Sequence, residues 1–213
     1  MKSVKYILLI LNCEKYKNKA VRQKKGWLSK LNNNDLIYYH VIGSNKKCND
    51  KEYIFDDINK ILYVNTKDDY CSLPNKVISS FNAINNEYNY EYIFKTDDDQ
   101  NLVKPNFFNS IIKIIENKKN INYGGFLLNV NDHYSRYYLV HSVLPKNLFL
   151  KKTSYCSGRF YLLSNKSINH LIKFYDNISQ CVIEDHTIGL YLSDEFKSNG
   201  LYFDSNKIFK DIE

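Results

Sequence analysis

Residues Tyr92 to Asp99 read Tyr-Ile-Phe-Lys-Thr-Asp-Asp-Asp, an apolar β-type run that stops on three consecutive carboxylates. Neighbouring aspartates at the end of a buried strand repel one another and lose hydration, which raises the pKa of some of them unless a cation relieves the conflict. An oxygen-only ligand set suits Mg²⁺ or Mn²⁺ better than Zn²⁺, which prefers nitrogen and sulfur. Taken alone, three aspartates are more often a solvated acidic turn, so the elements around them decide.

Those elements alternate. Apolar runs of strand length are separated by amphipathic segments of helix length, the pattern of a mostly parallel sheet flanked by helices. The runs predict strands over Val4–Leu11, Leu36–Ile42, Ile61–Val64, Tyr92–Thr96, Tyr123–Asn129 and Arg159–Leu163, and helices over Asn18–Lys30, Ser72–Asn85, Pro105–Asn117, Lys166–Tyr175 and His186–Leu192. Ser72 reads as an N-cap, Pro74 as a first-turn residue and Pro105 as the opening position of its helix. Asn32 to Asn34 and Ser44 to Lys51 read as surface loops. The 213 residues suit one α/β, Rossmann-like domain over 1–213. Ligands of such sheets bind at the carboxyl ends of the strands, where Asp97 to Asp99 fall.

Composition excludes more than it assigns. Charged residues are 25% and hydrophobic residues 44% of the chain, ordinary values for a globular protein. The net charge of +7 is scattered in pairs such as Lys24-Lys25, Lys46-Lys47 and Lys151-Lys152, and no nucleic-acid module is present. Five cysteines without Cys-x-x-Cys spacing indicate neither a zinc ribbon nor a disulfide framework. The apolar run Tyr6 to Leu11 is too short to span a bilayer, so no transmembrane anchor is expected. A cytoplasmic enzyme of a microbe, a protist or an AT-rich DNA virus is the reading that composition favours.

Four further segments accompany the aspartates: Arg22-Gln23-Lys24-Lys25-Gly26-Trp27, Asp69 to Lys76, Tyr155-Cys156-Ser157-Gly158 running on to Ser164, and Glu184-Asp185-His186-Thr187-Ile188-Gly189. In order and spacing around Lys95 to Asp99 they resemble the β-1,3-galactosyltransferase and Fringe-like enzymes, glycosyltransferase family 31, over about Tyr6 to Leu192. The resemblance implies a GT-A fold, a UDP-sugar donor, Mn²⁺ or Mg²⁺, and inversion at the anomeric carbon. By its pattern Asp97 and Asp99 are metal ligands, Asp97 also faces the donor's uridine or ribose, and Asp98 and Glu184 contribute to donor contacts. Asp185 is the catalytic base, with a solvated acidic helix start as the alternative account of Glu184-Asp185.

Other assignments stay divided at this level. Gly158 either lets the backbone approach the donor sugar or makes an ordinary turn. Arg22 and Lys76 contact the uridine or diphosphate, or else make surface salt bridges. Trp27 and Tyr155 read as packing residues, Cys156 as a small buried hydrophobe, and His186 as an exposed helix-start residue. Arg159 stands where many members of that family have a small residue. Their customary late histidine ligand has no counterpart after His186, which leaves Asp204, water or the donor to complete a metal shell.

The leading expectation is a hexosyltransferase acting on a glycan, glycoprotein or glycolipid acceptor, with a non-catalytic sugar-nucleotide or glycan-binding module as the alternative. Two-metal phosphoryl chemistry would need a second carboxylate cluster, which the sequence does not supply.

Overall fold

The computed structural model describes residues 1–118 and 120–212. Its main elements are strands β1 (Tyr6–Leu11), β2 (Leu36–Gly43), β3 (Tyr53–Asp56), β4 (Ile61–Val64), β5 (Tyr92–Asp97), β6 (Gln100–Leu102), β7 (Tyr123–Val130), β8 (Thr153–Ser164), β9 (Gly200–Tyr202) and β10 (Phe209–Asp211). The longer helices are α1 (Lys17–Lys25), α2 (Leu73–Glu87), α3 (Phe107–Asn117), α4 (Asn165–Ile172), α5 (Tyr175–Ser179) and α6 (Glu184–Tyr191).

Every residue of β1 is apolar and buried, and a strand that is apolar on both faces requires cover on both. One cover is α2: Ile7, Leu9 and Leu11 share a core with Val77, Ile78, Phe81 and Ile84. The other is α3 with Trp27, whose Phe108, Ile111 and Ile115 pack on Tyr6, Leu8, Ile10 and Phe94.

The strands form one eight-stranded mixed sheet in the order β9-β7-β8-β5-β1-β2-β4-β3. Strands β5, β1, β2 and β4 run parallel. Strand β8 lies antiparallel beside β5, with Lys95 opposite Tyr161 and Thr96 opposite Phe160. Separately, β6 and β10 pair as a two-stranded ribbon that brings the C-terminal segment onto the aspartate turn.

Several expectations shift. The first helix stops at Gly26, and Leu28–Lys30 is a 3₁₀ turn. Pro105 precedes its helix, which starts at Phe107 after Asn106. Ser72 occupies the N-cap position without a capping bond, and its own N–H is taken by Asp69 Oδ1 at 2.9 Å. The helix predicted to reach Tyr175 ends at Ile172, with α5 a separate turn. The Ser44–Lys51 loop contains a one-turn helix capped by the Ser44 hydroxyl. Strand β8 starts six residues before Arg159, so the Tyr-Cys-Ser-Gly segment is strand and Gly158 is not in a tight turn. Among the described residues, no helix is long and apolar enough to cross a membrane.

Two packing details generate expectations. Helix α6 lies so close to β8 that a Cβ on Gly189 would stand 2.2 Å from Tyr155 Cβ and 2.7 Å from Ser154 O. Gly189→Ala is therefore expected to destabilise the fold by about 2–3 kcal/mol in urea unfolding; unchanged stability would show that helix and strand can separate freely. His40 is fully buried on β2, and neither ring nitrogen has a hydrogen-bond partner among the described residues. Burial, assisted by the Lys24 charge, holds its pKa down at about 3. An unfolded chain takes up this proton near pH 6.5 while the fold does not, so the contribution of His40 to stability falls as pH drops from about 6.5 toward 3. Relative to His40→Leu, the wild type should lose stability progressively over that range. A constant difference between the two would contradict the burial of a neutral imidazole.

Candidate active site

At the carboxyl end of β5 the side chains alternate between faces, which puts Lys95 and Asp97 together and Thr96 opposite. Thr96 Oγ1 donates to Arg159 O at 2.7 Å. Lys95 is 1% exposed, and its ammonium meets Asp97 Oδ1 at 2.8 Å, Glu184 Oε2 at 3.0 Å and Gly158 O at 2.8 Å. It also lies 5.5 Å from the centre of the Tyr161 ring, its cross-strand neighbour. Burial alone would pull the lysine pKa down; the Asp97 and Glu184 carboxylates override it and hold the ammonium above its ordinary value.

Glu184 is equally enclosed. Its second oxygen accepts from the Tyr161 hydroxyl, so both oxygens are turned inward onto the frame. Burial, reinforced by the charge of Asp185, raises its pKa against the pull of Lys95. Asp185 follows at the start of α6, with Oδ2 accepting from Gly158 N–H and Oδ1 from His186 N–H, both at 2.8 Å. Burial lifts its pKa as well, opposed by the Gly158 N–H and by Lys95. A carboxylate held this way is a candidate proton acceptor.

Gly158 sits among these three side chains. A methyl there would stand 3.4 Å from Asp185 Oδ2 and 3.5 Å from both Glu184 Oε2 and Lys95 Nζ. The segment around it is a β-bulge, since the β8–β7 register slips between Cys156 and Tyr161. Bulges of this kind re-aim backbone groups beside functional sites; here the N–H and C=O of one glycine are presented to Asp185 and Lys95.

The three aspartates diverge. Asp97 turns to Lys95, Asp98 lies 3.5 Å from Lys19 on α1, and Asp99 Oδ1 accepts from Gln100 Nε2 at 2.8 Å. Burial, with the charges of Glu184 and Asp99 added, raises the Asp97 pKa to about 6 against Lys95. Asp98 rises to about 6 through burial and its two neighbouring aspartates, opposed by Lys19. No cluster of three or more metal-ligating side chains occurs among the described residues. Mg²⁺-type binding uses one or two carboxylates and completes its shell with substrate phosphates and water. Asp97 and Asp99, both partly exposed at the turn, are the two carboxylates that would hold such an ion. Asp204 is committed elsewhere: it caps its own turn through Asn206 N–H and lies 3.6 Å from Lys207.

Gln23 and Ile212, which the sequence did not single out, hold the turn in place together with Trp27, read there only as packing. The buried Gln23 amide donates to Asp97 O at 3.0 Å and Gln100 O at 2.8 Å, and Trp27 Nε1 reaches Gln100 O at 3.1 Å. From the C-terminus, Ile212 N–H closes on Asp99 O at 2.6 Å. Arg22 is exposed on α1, one residue from Gln23.

Lys76 is 2% exposed, not at the surface; it donates to Asn12 O at 2.9 Å and Asp68 Oδ1 at 2.6 Å. Asp68 also accepts from Gly43 N–H and Glu14 N–H, so the pair ties the ends of β1 and β2 to α2. His186 is buried and its Nε2 lies 2.8 Å from Lys151 O, which corrects its expected exposure. Arg159 points to the opposite face, where it binds Gln100 Oε1 and Asp211. It therefore clamps the C-terminal strand and does not alter the space around Gly158.

The family described as galactosyltransferase matches over residues 18–196. No curated protein is significantly similar. Among solved structures, the apo bifunctional glycosyltransferase WbbM is 8% identical with a TM-score of 0.51, covering 96% of this chain and 39% of its own. The glycosyltransferase GlyE of Streptococcus pneumoniae TIGR4 is 10% identical with a TM-score of 0.47, covering 96% and 46%. The first of these supports the fold alone, and the chain spans less than half the length of either.

The frame generates its own test. Lys95→Met would leave the buried Glu184 and the partly buried Asp97 without their cation, which is expected to cost about 3–5 kcal/mol at neutral pH. The penalty should shrink as pH falls, because burial already raises the pKa of both carboxyls and loss of the Lys95 charge raises it further, so that they protonate and no unpaired charge remains. Urea unfolding of wild type and variant at both pH values measures it, and a pH-independent or negligible penalty would contradict the ion-pair frame.

Proposed function

The chain belongs to the galactosyltransferase family, and from that premise we propose that it moves a hexose or N-acetylhexosamine from a UDP-sugar to an acceptor hydroxyl, with inversion at the anomeric carbon. The observation that carries the reading is the Lys95 frame, which fixes the Asp97 strand end and the Glu184-Asp185 helix start in one unit. A donor would then lie with its diphosphate at Asp97 and Asp99 and its sugar over Gly158. Mn²⁺ or Mg²⁺ held by Asp97 and Asp99 would supply Lewis acidity to the departing diphosphate.

The chain's own residues divide the remaining work. Asp185 accepts the acceptor's hydroxyl proton as that oxygen attacks the anomeric carbon and the bond to the diphosphate breaks, its electron pair leaving on the phosphate oxygen. The two N–H groups on Asp185 hold the carboxylate in orientation while its raised pKa keeps it basic enough to take the proton. Lys95 keeps Asp97 anchored on one side. The Asp68–Lys76 pair shapes the loops after β1 and β2, where the nucleotide would be received, with Arg22 and Asp98 on the α1 side. Glu184 acts on the donor pocket through Lys95. The acceptor is a glycan, free or carried on a protein or lipid.

Asp185→Asn is expected to lower turnover by about 10²- to 10⁴-fold while UDP binding is kept. A panel of UDP-sugars assayed for Mn²⁺-dependent hydrolysis and transfer provides the measurement. Near-normal turnover of the variant would remove Asp185 from the chemistry, and metal-dependent UDP binding without any turnover by the wild type would assign a binding module instead.

A further inference from the structure

Between β7 and β8 the chain leaves the sheet over residues 131–152. It forms a short ribbon of His133–Tyr134 with Phe149–Leu150 and a 3₁₀ turn at Tyr137–Leu139. Its inner side is anchored next to the candidate active site. Leu144 and Leu150 pack on Ile183, the residue before Glu184. His141 stacks on Tyr70 at 4.2 Å, and the Tyr70 hydroxyl, its pKa raised first by burial, also feels the charges of Asp185 and Asp97.

Among the described residues the outer side has no partner of this kind. Leu139, Val140 and Val143 are 72%, 75% and 66% exposed, with Tyr134 and Phe149 also at the surface. Single exposed apolar residues are ordinary. A group concentrated in one excursion marks an interaction surface. Its charge narrows the partner: Arg136, Lys146, Lys151 and Lys152 are all exposed, against Asp132 as the one acid of the stretch. Exposed aliphatic and aromatic side chains in the same short excursion as four exposed cations match the boundary of an anionic bilayer, where apolar groups enter below the headgroups and basic groups remain among them.

We propose that the 131–152 excursion seats this chain on an anionic membrane surface, with Leu139, Val140 and Val143 entering the headgroup–acyl boundary and Arg136, Lys146, Lys151 and Lys152 among the anionic headgroups. The anchored inner side would then hold the acceptor side of the site against the lipid, which selects a lipid-borne sugar as acceptor class. This second step rests on Asp185 being the acceptor-side base; the membrane contact does not.

Co-sedimentation with sucrose-loaded vesicles tests it, using phosphatidylcholine alone and phosphatidylcholine mixed with phosphatidylserine. Wild type should pellet with the anionic vesicles, less so as salt rises, and only weakly with neutral ones. Leu139→Asp/Val140→Asp/Val143→Asp should reduce binding to anionic vesicles by about tenfold or more. Lys146→Glu/Lys151→Glu/Lys152→Glu should abolish the preference for anionic lipid. Thermal unfolding and UDP titration of each variant establish that it is folded. Wild type remaining in the supernatant at low salt would overturn the proposal, as would an apolar variant that pellets like wild type. So would a wild type that dimerises through this face, shown by sedimentation velocity and abolished in the apolar variant, in place of binding vesicles. Loss of UDP binding by the wild type would instead count against the glycosyltransferase reading and leave the vesicle result standing.

Discussion

One buried ammonium organises the candidate site. Lys95 Nζ touches the end of β5 through Asp97, the start of α6 through Glu184 and the β8 bulge through Gly158 O. A lone lysine would lose its charge or unfold the protein at such a position, because taking an ion out of water is strongly unfavourable. Two carboxylates and a carbonyl offset that loss, and in doing so they fix three segments distant in sequence at hydrogen-bonding range. The geometry of Asp185 follows from it, since the Gly158 N–H that orients this carboxylate belongs to the same residue whose carbonyl binds Lys95.

Around that centre, the three aspartates are separated by neighbours of different kinds. Asp97 is drawn to Lys95 and Asp98 toward Lys19, while Asp99 stays by Gln100 and the C-terminal strand. The turn itself is held from outside the triad by the Gln23 amide and the Trp27 indole. Concentrated negative charge at a strand end is tolerable in this form because each carboxylate has a separate partner, yet Asp97 and Asp98 retain raised pKa values that a divalent cation would relieve. The same economy appears at Lys76, where one buried ammonium and Asp68 join the ends of two strands to α2.

The central sheet was legible because β1 and β4 are uninterrupted apolar runs, and β2 and β5 open on apolar runs broken only at His40 and from Lys95 onward, a pattern that a covered parallel sheet buries. Strands β3, β6, β9 and β10 were not, since three or four residues at a sheet edge or in a ribbon carry no measurable period. The aspartate turn and Glu184-Asp185 stood out by residue type. Lys95 and Gln23 did not, although both lie inside the segments that carried the family resemblance. Their roles depend on the β5–β8 register and on helix approach, which are long-range properties. A lysine embedded in a strand of otherwise apolar residues was the available sign, for such a lysine must find acids elsewhere in the fold. His186 was misplaced for the converse reason: a polar residue was taken to be exposed where a contact with Lys151 O allows it to be buried. Of the two readings left open for Lys76, the surface salt bridge fails on the same ground.

The most direct test is a crystal structure of the chain grown with Mn²⁺ and UDP. The account predicts the cation between Asp97, Asp99 and the diphosphate oxygens, Lys95 still bridging Asp97 and Glu184, and the Asp185 carboxylate across the sugar position from the diphosphate. A cation and nucleotide bound away from the aspartate turn, or Asp185 on the same side as the diphosphate, would contradict it.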